Sequence, residues 1–189
     1  MKELKPALLL LLALTLVCGG LYPALVTGLA QALFPVQANG SLIAGPKGKA
    51  AGSLLIGQPF SEAKYLWPRP SATGGFPYNP LASGGANLSP AGAAYGETIA
   101  ARLHRLQEAG MRGPIAADLV QASGSGLDPH ISPHAAATQI RRIAQARGMR
   151  EERVAAIVAA HLEPRQFGLL GEPRVNVLAV NLALDAAAP

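Results

Sequence analysis

Cysteine is almost missing from this chain: the single one, Cys18, lies inside an apolar run. One thiol makes no internal disulfide, and everything beyond residue 18 is without thiol chemistry. Aromatic residues are scarce, at 5%, which argues against a stacking surface for bases or sugars. The glycine-rich stretches Ser83-Gly84-Gly85 and Gly124-Ser125-Gly126 lack a following Lys-Ser/Thr, so there is no P-loop. No internal repeat is visible. Charge is absent altogether from Ala7 to Leu33.

That uncharged run is the most informative feature present. Its clearly polar side chains are Thr15, Thr27 and Gln31. As a helix it is about 40 Å long at ~1.5 Å per residue, enough to cross a hydrocarbon core of about 30 Å. A cleaved signal peptide is the alternative, with Lys2 and Lys5 as its basic start and Ala30-Gln31-Ala32 as its cleavage site. The run exceeds an ordinary signal core of ~7–15 residues, and Thr15-Leu16-Val17 before Cys18 matches a lipobox poorly. An uncleaved anchor is expected.

Lys2 and Lys5 favour a cytoplasmic N-terminus, although Glu3, Lys47 and Lys49 weaken the asymmetry. The expected organisation is an anchor over residues 1–34, a juxtamembrane connection over 35–51 and an extracytoplasmic domain over 52–189. The setting is then the inner membrane, crossed once. Gly20, Ala24, Gly28 and Ala32 recur every four residues. Such a small-residue face lets a second membrane helix approach closely, and chance is the bland reading in a chain rich in Ala and Gly. Pro23 should kink the helix or mark a packing site. The net charge of +5 fits proximity to anionic lipid or plain solubility and does not single out nucleic acid.

Beyond the anchor the pattern predicts a mixed α/β domain with a small sheet and several helices. Ser53-Leu54-Leu55-Ile56 is a short strand candidate closed by Gly57. Trp67 to Pro90 is dense in Pro, Gly, Ser and Asn, yet Trp67, Phe76, Tyr78 and Leu81 give it something to bury, so an ordered loop is expected. Ser89-Pro90 reads as a cap opening a helix to about Ala109, with Ile99, Leu103 and Leu106 inward and Gly110 as its stop. Ile115 to Ala122 is a second strand candidate. Ser132-Pro133 repeats the capping signature ahead of a helix with Ile140, Ile143 and Ala144 on its apolar face, ended by Gly148. Arg150 to Leu162 is another helix, with Val154, Ile157, Val158 and His161 on one side and Pro164 as its stop. Val175 to Leu184 is nearly all apolar and reads as a strand buried on both faces.

Three constellations invite chemical readings. Ser125 and His130, with Asp128 between them, suit a membrane-anchored extracytoplasmic hydrolase; a nucleophile needs a base in hydrogen-bond reach and a third group to orient it. Ser123-Gly124-Ser125-Gly126 misses the strand-to-helix elbow of serine hydrolases, and a tight loop leading into the helix capped at Ser132 is the plainer reading. His130 and His134 stand at a metal-compatible spacing without an obvious third ligand, so no metal is expected. Arg141, Arg142, Arg147, Arg150 and Arg153 lie on two consecutive short helices, as in helix-turn-helix DNA binders. A domain outside the cytoplasm excludes that reading and leaves solvated helix faces or contact with a partner subunit.

The order of segments carries a resemblance. Gly19-Gly20-Leu21-Tyr22-Pro23 in the apolar helix is followed by Gln37-Ala38-Asn39-Gly40-Ser41-Leu42-Ile43, Gly52-Ser53 and Leu55-Ile56-Gly57-Gln58. Then come Arg69-Pro70-Ser71-Ala72, Pro77-Tyr78-Asn79-Pro80, Ser83-Gly84-Gly85-Ala86-Asn87-Leu88 and the Ala122–Pro133 loop. Gly171-Glu172-Pro173-Arg174-Val175-Asn176-Val177 and Asn181-Leu182-Ala183-Leu184-Asp185 close the chain. This resembles the C subunit family of the bacterial potassium-transporting ATPase, the Kdp complex, from the anchor to the last segment. Ala86 is a small departure, at a position where the family pattern leads us to expect Ser.

The resemblance implies a subunit with no catalytic residues of its own. The complex it implies couples ATP hydrolysis in a P-type pump subunit to potassium uptake through a channel-like subunit, uses ATP, Mg and K, and includes a small membrane subunit. Assembly and stabilisation of that complex, and an increase in the ATP affinity of the pump subunit, are the roles it implies for this chain. A domain outside the membrane reaches a cytosolic nucleotide only allosterically, through its helix. No ATP-binding, cofactor-binding or metal-binding residue is therefore carried over.

Overall fold

Residues 2–45 and 50–187 are described by the computed structural model. Lys47, Lys49 and the middle of the 35–51 connection lie outside the described residues. The chain divides into two units, Met1–Ala51 and Gly52–Pro189.

In the first unit the uncharged run forms one helix, Leu4–Leu33, long and apolar enough to cross a membrane. It consists of α1 (Leu4–Leu16), a widened π-helical turn over Val17–Leu21 and α2 (Tyr22–Leu33). Pro23 sits in the first turn of α2. A proline removes a backbone donor and crowds the preceding turn, and a wider turn immediately before it accommodates both. Phe34 leaves the helical conformation at φ -137°, in line with the bias of a residue before proline against the α region. The one-turn helix α3 (Pro35–Ala38) follows. Gln31 and Asn39 exchange side-chain hydrogen bonds of 3.4 and 3.1 Å across that corner. Leu42–Ala44 (β1) and Ala50–Ser53 (β2) form a two-stranded sheet.

The second unit is mixed helix and sheet. Its helices are α4 (Ala93–Glu108), α5 (Pro133–Ala137), α6 (Ile140–Arg147), α7 (Glu151–Ala160) and α8 (Val177–Ala186). Three short strands form an antiparallel sheet in the order β3 (His130–Ile131), β5 (Arg174–Asn176), β4 (Leu162–Glu163). Ile131 pairs with Val175, and Leu162 pairs with Val175 from the other side. The core gathers Leu66, Leu106, Ile131, Ile143, Val154 and Leu184 with small Ala135, Ala136 and Ala144 between them. Alanines at these positions let short helices approach the sheet closely.

Local signals set several boundaries as expected, although the single helix expected between Ser132 and Gly148 is two, α5 and α6, parted by a turn at Thr138-Gln139. Ser132 Oγ accepts from Ala135 N–H at 3.1 Å and opens α5. Gly148, at φ +62°, ends α6 in the left-handed conformation that favours glycine. Ile143 and Ala144 are buried, as are Val154 and Val158.

Elsewhere the structure corrects the sequence reading. Residues 177–184 are helical, not a strand: Asn176 Oδ1 accepts from Ala179 N–H at 3.1 Å and starts α8. Val177, Val180, Asn181 and Leu184 then share its buried face at helical spacing. A continuous apolar run does not by itself distinguish a buried strand from a buried helix. Ile115–Ala122 contains a single tight turn, Ala117–Leu119, in place of a strand. Ser53 ends β2, and Leu54–Ile56 leaves it in a turn. Ser89-Pro90 forms a turn whose Ser89 carbonyl accepts from Gly92 N–H, and α4 begins only at Ala93. His161 lies just past α7. The Trp67–Pro90 loop is ordered with Tyr78 buried, but Phe76 and Leu81 are exposed, because hydrogen bonds close the loop where apolar burial was expected.

Candidate functional site

Gly20, Ala24, Gly28 and Ala32 all lie on the long apolar helix. Gly20 belongs to the π turn and the other three to α2. The wider turn sets Gly20 off the strict α-helical register of the others. A Cβ added at Gly20 or Gly28 meets nothing within 4 Å. The strip presents hydrogen at the two glycines and a methyl group at Ala24 and Ala32.

In the second unit, two loops that run far apart in sequence are stitched together. Ser71 Oγ donates to Gly126 O at 2.8 Å, Ser83 Oγ donates to Ser125 O at 3.0 Å, and Gly57 N–H donates to Leu127 O at 2.8 Å. Gly126 takes φ +68°, and a Cβ there would fall 2.7 Å from Gly84 O. Tyr78, itself at φ +59°, donates its hydroxyl to Arg69 O and takes Ser71 Oγ as acceptor for its N–H. Burial pushes the Tyr78 phenol well above its usual value.

Ser125 and His130 sit on this structure without forming a nucleophile–base pair. Ser125 Oγ accepts from Leu127 N–H at 3.1 Å. The His130 ring faces carboxylates instead: Nδ1 lies 3.5 Å from Asp128 Oδ1 and Nε2 lies 3.7 Å from Glu163 Oε1. Asp128 Oδ2 takes Arg69 Nη1 at 3.1 Å, and Glu163 Oε2 takes Arg174 Nε at 2.8 Å. The result is a run of neighbouring polar groups, Arg69, Asp128, His130, Glu163 and Arg174, that links the loops to the sheet. Burial pushes the Asp128 carboxyl up, but His130 and the Arg69 guanidinium outweigh it and hold the group below its usual value. The 122–133 segment is thus a hydrogen-bonded brace. Among the described residues, no group of three or more His, Cys, Asp or Glu is placed to hold a metal ion.

Two of the five arginines expected on solvated faces are buried clamps, which corrects that reading. Arg142, on α6, donates to Ala63 O at 2.6 Å, Tyr65 O at 3.0 Å and Gln139 Oε1 at 2.6 Å. Its guanidinium stacks 4.1 Å from the Trp67 ring centroid, and burial lowers its pKa to about 10. Arg147 donates to Lys64 O at 2.7 Å and Leu184 O at 2.9 Å, and pairs with Asp185 at 2.6 Å. Gln139 Oε1 accepts from Trp67 N–H, and its Nε2 donates to Trp67 O. The strap over residues 62–70 is thereby held by side chains from α6 and α8. Sequence reasoning missed these clamps because a surface arginine and a buried one look the same in a helical repeat.

The strap forms one wall of a cleft of about 320 Å³ that also exposes Arg69, Arg102 and Arg105. Arg102 donates to Val120 O at 2.7 Å, and burial lowers its pKa. The Ser71 and Tyr78 hydroxyls in the cleft are committed to the backbone bonds given above. In this cleft Arg69, Arg102, Ser71 and Tyr78 are each hydrogen-bonded within the fold.

The family model described as "KdpC: K+-transporting ATPase, c chain" matches residues 4–186. Over the full length of both chains, this sequence is 61% identical to the potassium-transporting ATPase KdpC subunit of Geobacter sulfurreducens. It is 58% identical to that of Geobacter metallireducens, again over all of both chains. Against the KdpC subunit of Sorangium cellulosum the identity is 53% over 99% of each chain. With its mixed helix-and-sheet unit preceded by one long apolar helix, the chain belongs to the KdpC family, the c chains of the K+-transporting ATPase.

Proposed function

We propose that this chain is a non-catalytic accessory subunit of a high-affinity, ATP-driven potassium uptake complex. Its role is to assemble and stabilise the ATP-hydrolysing pump subunit and the channel-like potassium-binding subunit, together with the small membrane subunit and surrounding lipid. The observation that carries this reading is the family match over residues 4–186. The polar groups around Ser125 and His130 support it, because they brace loops and do not pair as nucleophile and base.

In this reading the Leu4–Leu33 helix is an uncleaved anchor in the inner membrane. The N-terminus is cytoplasmic, and residues 52–189 form the extracytoplasmic domain. The face carrying Gly20, Ala24, Gly28 and Ala32 packs on the channel-like subunit, since small residues bring membrane helices into van der Waals contact. Any effect on the ATP affinity of the pump subunit is allosteric and travels through this helix. It requires two states of the pump that the helix binds with different free energies.

The test is affinity purification of the tagged full chain from mild-detergent membranes, with identification of the proteins that accompany it. Stoichiometric recovery of a P-type ATPase subunit and a large channel-like subunit is the expected result. Recovery of the chain alone, from cells shown to express the complex, overturns the reading.

A further inference from the structure

The hairpin that joins β4 to β5 ends in an apolar tip, Phe167-Gly168-Leu169-Leu170. Phe167 is 93% exposed, Leu169 78% and Leu170 60%. Scattered exposed apolar residues are ordinary, but three within four residues at the end of a hairpin form a patch.

The tip is rigid. Gln166 and Leu170 exchange both backbone hydrogen bonds at 2.9 Å, and Leu169 N–H donates to Gln166 O at 3.1 Å. Phe167 and Gly168 take φ +55° and +74°. A hairpin turn with two successive positive φ values ordinarily carries Asn, Asp or Gly at the first of them. An aromatic residue there is strained, and the fold holds that strain while leaving the ring in solvent. Backbone strain that gives the isolated chain no packing in return points to a function.

Charge decides what the tip meets. Residues 166–171 carry none. The two arginines at the hairpin's base are both neutralised: Arg165 pairs with Glu172 at 2.6 Å and Arg174 with Glu163 at 2.8 Å. A segment built to lie on an anionic bilayer surrounds its apolar residues with free Lys and Arg, which this hairpin lacks. Fluid lipid also accepts apolar side chains in any conformation and does not reward a strained, fixed one. A preformed protein pocket does, because a ligand ordered in advance loses less entropy on binding.

We propose that Phe167, Leu169 and Leu170 form a knob that enters an apolar socket on another subunit of the K+-transporting complex. The inference rests on the accessory-subunit reading and adds to it a contact surface in the second unit.

The experiment replaces Leu169 with a photoreactive diazirine amino acid in the tagged full chain and irradiates the complex purified in mild detergent. An adduct to the pump or channel-like subunit is expected. Adducts only to lipid, detergent or a second copy of this chain overturn the knob. In parallel, Phe167→Ser/Leu169→Ser should lower recovery of partner subunits at least about tenfold, as truncating central anchors does. Its thermal midpoint should match that of the parent chain, since both side chains face solvent. If the parent chain retains its partners and the double variant retains them equally, the knob fails while the accessory-subunit reading stands. If the parent chain brings no partner, both fail.

Discussion

Asn181, on α8, hydrogen-bonds both backbone groups of Leu66, which lies 115 residues earlier: Oδ1 accepts from its N–H at 2.7 Å and Nδ2 donates to its carbonyl at 3.0 Å. Leu66 and Asn181 are both almost wholly buried, so no water replaces these bonds. Asn181→Leu strands two backbone groups in the core. At ~1–3 kcal/mol for a buried unsatisfied group, the expected loss is about 3 kcal/mol. Urea unfolding of the detergent-solubilised full chain measures it, and a loss below about 1 kcal/mol rejects the account.

Arg142 offers a comparison of chemistry at constant charge. Lysine lacks the planar fork that serves Ala63 O and Tyr65 O together and stacks less well on an indole. Arg142→Lys should cost about 2 kcal/mol and shift the emission of Trp67, the chain's single tryptophan. The exposed neighbour Arg141→Lys should stay within about 0.5 kcal/mol with an unchanged spectrum. Equal behaviour of the two variants would contradict the clamp.

Gly126 and Gly124 test the loop stitching. An added Cβ at Gly126 falls 2.6 Å from Thr73 Cγ2, at a backbone φ of +68°, whereas at Gly124 it meets nothing within 4 Å. Gly126→Ala combines a steric clash with a strained conformation and should cost about 2 kcal/mol or more. Gly124→Ala should be within about 0.5 kcal/mol of the parent. Thermal midpoints of the two variants decide the matter.

Asp128 makes a pH prediction whose sign follows from its lowered pKa. A carboxyl held low in the fold contributes stability above its unfolded value of about 3.9. That contribution disappears as pH falls through the folded value. Asp128→Asn should therefore be less stable than the parent at neutral pH, with the gap closing below about pH 4. A gap that widens in acid would reverse the assignment.

On the apolar helix, Gly20→Leu combined with Gly28→Leu fills the small-residue strip and should weaken assembly with the channel-like subunit. Co-purification yield against the parent chain is the readout. Undiminished recovery by the pair variant sinks the docking face.

Much of the architecture was legible in the residues alone, wherever the cause was local. The uncharged Ala7–Leu33 run reads as one long apolar helix from its length and composition, and its local departure, the π turn over Val17–Leu21, falls just ahead of Pro23. Ser132 caps a helix through a bond three residues away, and Gly148 ends one through its own φ. The order of motifs from Gly19 to Asp185 was enough to reach the family. The tertiary structure alone decided what depends on distant partners. Val175–Leu184 is apolar in either form, and a cap at Asn176 with one buried face turns most of it into a helix. Arg142 and Arg147 are clamps only because the carbonyls of residues 63–65, some 80 positions away, are brought to them. Ser125 and His130 are only five positions apart, yet the fold gives each a different partner. Helix starts and stops are encoded within a turn of chain, whereas burial, and with it the role of a polar side chain, is set by whatever the rest of the chain packs against it.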